Sequence, residues 1–162
     1  MKKNYQTIFK KHPFNFACAS LFGVGLLPAS GTWGSLVALL IAPFLIHSPL
    51  LIWTAVIVSF FLGVAVIPAL IKNQTNKDPG YVVIDELMGQ LVVFAFLPYS
   101  FANPLTYLFG FLFFRLFDIL KPWPVSFFDR EVRNAWGIML DDLMAGIYAS
   151  CVLALIQILS LY

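Results

Sequence analysis

The chain has 162 residues, of which 60% are hydrophobic and only 11% charged, with a mean hydropathy of +0.87. Soluble domains carry about 25% charged residues, so the composition excludes that class and points to one compact integral membrane domain over residues 1–162. A net charge of +2 is too small to suggest a nucleic-acid partner, and Cys18 and Cys151 both lie in apolar runs, where they read as buried small hydrophobes rather than a disulfide.

In chain order, residues 1–13 form a basic N-terminus carrying Lys2, Lys3, Lys10 and Lys11. A cleaved signal peptide over 1–29 competes with that reading, but the multispan remainder disfavours it. The apolar runs 14–27 and 32–46 are separated only by "PASG", a break too short to join two full spans. It reads as a re-entrant or broken helix, which a membrane tolerates when protein covers the loose backbone. Residues 50–71 are 22 residues without a charge, the clearest span. The runs 87–98 and 105–120 are joined by "YSFANP", a turn signal bounded by Pro98 and Pro104. Between 122 and 136 a helix from Val125 would line up Val125, Phe128, Val132 and Trp136 and lie in the headgroup layer, and 143–162 makes a last span. The expected fold is all-α: a bundle of about four to five transmembrane helices, a re-entrant or broken N-terminal helix and an interfacial helix.

Charge placement sets the orientation. All Asp, Glu, Lys and Arg residues fall in 2–11, 72–86 and 115–142, and the connections "HSP" and "YSFANP" carry none. Alternating spans bring those three stretches to one face, which the positive-inside bias makes cytoplasmic. A helix over 87–98 rises only about 18 Å, short of the ~30 Å hydrocarbon core. It should therefore begin near Val82 or Val83, which draws Asp85 and Glu86 below the headgroups; Arg115 and Asp118 move inward likewise. Ionisable groups at that depth are costly and signal function.

Taken singly, Asp85 and Asp141 could be N-caps, with Glu86 and Asp142 favoured by the helix dipole. Asp118 resists that reading, because it precedes "KPWP" at a helix C-terminal end, where an anion is disfavoured. Arg115 and Lys121, three residues to either side, share its face, so either an ion-pair cluster or a bound metal answers its charge. Asp85, Glu86, Asp118, Asp141 and Asp142 on one face would repel each other without added positive charge, and read best as oxygen ligands for Mg²⁺. His12 and His47 are the only histidines, so zinc chemistry and His-based phosphotransfer lack parts, and no P-loop motif is present. In "GLLPASGTWGSL", Gly31 and Gly34 permit close approach and Thr32 is a plausible N-cap for an anion-binding helix start; the plainer alternative is close helix packing. Arg130 and Arg133 could meet a lipid phosphate or simply snorkel.

Four blocks, "GLLPASGTWGSL", "DPGYVVIDELMGQ", "FRLFDILKPWPVSFFDR" and "GIMLDDLMAG", in this order and spacing, resemble the phosphatidylglycerophosphatase A family over about residues 20–150. The resemblance implies a Mg²⁺-dependent phosphatase of the bacterial inner membrane, hydrolysing phosphatidylglycerophosphate to phosphatidylglycerol and phosphate, with the phospholipid as its partner and no obligate protein partner. It implies catalytic roles for Asp85, Glu86, Asp118, Lys121, Asp129, Asp141 and Asp142. Gly31, Thr32, Gly34, Ser35, Arg115 and Arg130 would contact phosphate. Ser30 stands where the family usually has Pro, which leaves that turn less rigid. The rival class is a small ion- or proton-coupled transporter or channel subunit using the same acids, against which the uncharged outer connections offer no polar route across.

Overall fold

Pro49 in the first turn and an uninterrupted apolar run make α4 (Pro49–Ile71) the simplest element of the computed structural model, which describes residues 2–72, 79–97 and 103–159. Its 23 residues rise about 34 Å. Among the described residues α8 (Ala135–Leu159) is the other helix long and apolar enough to cross a membrane, so two of the expected four to five spans meet that length. The remaining elements are α1 (Lys2–Lys11), α2 (Pro13–Ala19), a 3₁₀ turn (Val24–Leu26), α3 (Ser30–Leu45), α5 (Ile84–Ala95), α6 (Pro104–Leu120) and α7 (Val125–Glu131). Among the described residues there is no strand, and the all-α class stands.

The short α5 organises the bundle. It packs against α3, α4, α6 and α8, and most of its residues are buried, as a helix apolar on all sides requires. It begins at Ile84 with Val83 as its cap, close to the expected start and with Asp85 and Glu86 in its first turn, but it ends at Ala95 rather than 98, so its 12 residues still rise only about 18 Å. That length is tolerable because Tyr81, Val82 and Val83 before it and Leu97 after it are buried too, so protein covers its ends. The backbones of α5 and α8 nearly touch. A Cβ on Gly89 would stand 2.6 Å from the Asp142 carbonyl oxygen, and one on Gly146 would collide with the Gly89 carbonyl. Small residues at such crossings let helices pack without a hydrophobic drive. Asp85 lies one turn before Gly89 and Asp142 lies in this contact, so the same crossing that joins the helices joins their acids.

The N-terminal run is broken, as expected, but 14–27 is not one helix. α2 ends after seven residues, and Leu21, Phe22 and Gly23 take positive φ of 47°, 55° and 102° before the 3₁₀ turn. α8 starts eight residues before the expected 143, because Asn134 caps it: its side-chain Oδ1 accepts from the backbone N–H groups of Trp136 (2.9 Å) and Gly137 (3.3 Å). α7 stops at Glu131, so the expected helix through Trp136 is two elements, with Trp136 in α8. Asn103 caps α6 by accepting from Thr106 N–H at 3.0 Å. The rest of "YSFANP" to residue 102, the stretch 73–78 and residues 160–162 lie outside the described residues.

A carboxylate cluster as candidate active site

α3, α5 and α8 begin at the end of the bundle where α4 and α6 finish, and the acids gather there. Carboxylate oxygens of Asp85, Glu86 and Asp142 lie within 4.8 Å of one another. Asp85 and Asp142 are 5% and 3% exposed. Asp85 Oδ1 and Asp142 Oδ2 are buried with no hydrogen-bond partner, and no Lys or Arg among the described residues stands within ion-pair distance of either residue. Buried acceptor-only oxygens without a donor are strongly unfavourable. A compact set of hard oxygen donors, with buried Asp85 and Asp142 oxygens that no donor meets, fits a divalent cation such as Mg²⁺.

The N-cap alternatives fail for both pairs of acids. Val83 caps α5, and Asp85 and Glu86 occupy its first turn, where the helix dipole favours them. Asp141 and Asp142 stand about two turns inside α8 and gain nothing from a helix start.

Two cation clusters flank the three carboxylates. Arg115 Nη1 lies 2.7 Å from Asp118 Oδ2, the expected i,i+3 contact in the last turns of α6, although the N–H direction does not meet hydrogen-bond geometry. Lys121 does not join it. As the left-handed cap of α6 (φ 45°), it turns its ammonium to Asp129 Oδ1 at 2.6 Å and Asp141 Oδ2 at 2.7 Å. Burial opposes that charge, but the carboxylates of Asp141 and Asp129 outweigh it and raise the Lys121 pKa. Asp141 also accepts from the Asp142 backbone N–H at 3.1 Å. Asp141 therefore ties α8 to α6 and α7, while its neighbour Asp142 faces the acids of α5.

The glycine block contributes through Gly31 above all. A Cβ there would stand 2.5 Å from Glu86 Oε1 and 3.0 Å from Arg115 Nη1, so a side chain at 31 would displace the ends of both groups. Gly34 packs on Val83 and the Glu86 β-carbon. Thr32 is not the N-cap: Ala29 is, in a left-handed conformation, and the Thr32 N–H donates to the Ala29 carbonyl at 2.9 Å. The buried Ser35 hydroxyl donates to Gly31 O at 2.8 Å and is spent on its own helix. Arg130 is exposed on α7 and its carbonyl accepts from Arg133 Nε at 3.2 Å; no contact joins it to the carboxylates. Sequence reasoning missed Gln90, one turn below Glu86, wholly buried with both amide atoms lacking a partner. Its only signal was a polar residue inside an otherwise apolar run.

The family model described as phosphatidylglycerophosphatase A matches residues 17–157. A Haemophilus influenzae protein named phosphatidylglycerophosphatase A is 39% identical over 141 residues, covering 84% of each chain. The Escherichia coli protein of that name is 37% identical over 138 residues, covering 82% of this chain and 77% of its own. A Bacteroides thetaiotaomicron relative, 34% identical over 140 residues and covering 82% and 87%, is named as a candidate phosphatidylinositol-3-phosphatase. No solved structure gives a significant match. All four sequence blocks and the whole carboxylate cluster fall inside the matched region: the chain is a phosphatase of the phosphatidylglycerophosphatase A family.

Proposed function

We propose that the chain hydrolyses phosphatidylglycerophosphate to phosphatidylglycerol and inorganic phosphate, with Mg²⁺, at the cytoplasmic face of a bacterial inner membrane. The carrying observation is the trio Asp85, Glu86 and Asp142, its oxygens within 4.8 Å and two of them buried without a partner. These three residues would hold the cation. When bound, it supplies positive charge against the transferred phosphoryl oxygens.

The chain's own residues do the rest. Arg115, beside Gly31, offers guanidinium donors to phosphate oxygens, and Asp118 orients it at 2.7 Å. Lys121 holds Asp141 and so fixes the pitch of α8 that presents Asp142. The reaction adds water across the ester: a bond from water oxygen to phosphorus forms, the bond from phosphorus to the glycerol oxygen breaks, and a proton ends on the glycerol hydroxyl. Placement of every Lys and Arg in 2–11, 72–86 and 115–142 supports the cytoplasmic orientation, and the apolar α4 and α8 support a multi-pass anchor.

Purified protein should release phosphate from phosphatidylglycerophosphate, lose that activity in EDTA and regain it with Mg²⁺. Phosphatidylinositol 3-phosphate serves as the competing substrate. Preference for the inositol lipid would overturn the substrate assignment, and full activity in chelator would overturn the metal. Failure to hydrolyse either lipid would favour the ion-coupled transport reading of the same acids.

A further inference from the structure

Beside Tyr81, against which Tyr5 and Phe16 pack, lies an apolar cavity of about 460 Å³, walled by Tyr5 and Phe9 of α1, Phe16 and Ala17 of α2, and Phe22 and Leu26 of the turn that follows. We propose that this groove binds one acyl chain of an anionic phospholipid, whose headgroup meets Lys10 and Lys11 of α1. At roughly 30 Å³ per methylene, about the share of one water molecule, the cavity holds on the order of 15 methylenes.

The lining asks for an apolar occupant. The Ser20 hydroxyl, one of its few polar groups, already accepts from Gly23 N–H at 3.1 Å. The aromatic rings make a preformed wall: Phe9 stacks edge-on against Phe16 at 5.8 Å, and Tyr5 and Phe16 both pack on buried Tyr81 at 5.4 and 5.0 Å. At the mouth, Phe22 is 90% exposed on a backbone held in the left-handed region, and Leu26 is 52% exposed. A bulky apolar side chain kept outward by an unfavourable backbone conformation is a feature that needs a function.

Charge selects the lipid. α1 carries Lys2, Lys3, Lys10 and Lys11 and no acid. Lys10 is exposed and follows Gln6 of the groove by one helical turn, so the two share a face of α1. Tyr5, Ile8 and Phe9 form the opposite, apolar stripe. A basic amphipathic helix over an acyl-sized groove has the chemistry of an anionic interface binder. The inference rests on the membrane placement proposed above and not on the phosphatase chemistry.

The test is native mass spectrometry of the purified full chain in detergent, titrated with phosphatidylglycerol or phosphatidylcholine of identical acyl chains. One phosphatidylglycerol should be retained with a Kd about tenfold below that of phosphatidylcholine. The exposed double change Lys10→Glu/Lys11→Glu should level the two lipids, and Ala17→Trp, which fills the groove, should remove the retained molecule. Phe22→Asp should remove it as well, and since Phe22 is almost wholly exposed this variant stays informative even if Ala17→Trp does not fold. Equal affinity for both lipids, or retention unchanged in Phe22→Asp, overturns the proposal. Because the readout is bound lipid, an inactive protein that still selects phosphatidylglycerol would break the phosphatase reading alone.

Discussion

Asp141 and Asp142 are neighbours on α8, equally buried at 6% and 3% exposure, yet they stand in opposite electrostatic situations. Asp141 is paired with Lys121, which also holds Asp129, and that cluster is complete within the protein. Asp142 faces Asp85 and Glu86 across the Gly89–Gly146 crossing, with no cation of the described chain beside it. Successive residues on a helix point about 100° apart, which is enough to send one acid to a structural tie and the next to a cluster of carboxylates. Burial and acidity are therefore poor guides to a reacting group by themselves. The partner decides.

The sharpest way to break this contrast is to neutralise each acid in turn. Asp142→Asn or Asp85→Asn should cost more than about 100-fold in turnover, beyond the ~10–100-fold usual for residues that only support a metal ligand. Melting temperature should hold or rise, since a buried repulsion is relieved. Near-wild-type turnover in both variants would empty the proposed site.

Next in size is Asp118→Asn. It should lower turnover by roughly tenfold through loss of Arg115 orientation, while the ~0.3–1 kcal/mol gained by removing a C-terminal anion from α6 is offset by the largely buried Arg115 left without its partner, so melting should not rise. Turnover and melting measured on the same sample check it; unchanged turnover would make the pair with Arg115 a structural contact only.

Asp141→Asn should do the reverse of Asp142→Asn. Lys121 keeps Asp129 but loses its buried partner, a loss of about 2 kcal/mol, less than the ~3–5 kcal/mol of a fully enclosed pair. For a chain of this length that corresponds to a fall of roughly 4–8 °C in melting temperature. A Tm effect equal to that of Asp142→Asn would erase the distinction between the two acids.

The smallest expected effect is that of Gly31→Ala. Its methyl would press on Glu86 Oε1 and Arg115 Nη1 and should lower turnover several-fold with little change in melting. Unaltered kinetics would move α3 out of the site.

Much of this was legible in the sequence, and the misses have physical causes. α4 was read to within a residue because an uncharged apolar run bounded by proline and lysine has one solution. The early start of α8 was hidden because Asp141 and Asp142 interrupt the hydropathy, whereas the true start is set by the Asn134 cap seven residues earlier. The acids were found as a set, but not the separation of Asp141, held by Lys121, from Asp142, which faces Asp85 and Glu86. Lys121 lies three residues from Asp118, and helical spacing would join them. The left-handed cap that turns Lys121 toward Asp129 and Asp141 has no signature in a Leu-Lys-Pro stretch. The α5 helix was expected to lengthen to meet the membrane; enclosure by four neighbours removed that requirement.

The central claim is that Asp85, Glu86 and Asp142 hold a divalent cation and that Asp141 does not. Titrating Mn²⁺, read by electron paramagnetic resonance, into the purified wild-type, Asp142→Asn and Asp141→Asn proteins tests it without any reference to substrate. Saturable binding displaced by Mg²⁺ should appear in the wild type, persist in Asp141→Asn and vanish in Asp142→Asn. Binding retained in Asp142→Asn, or lost only in Asp141→Asn, would contradict it.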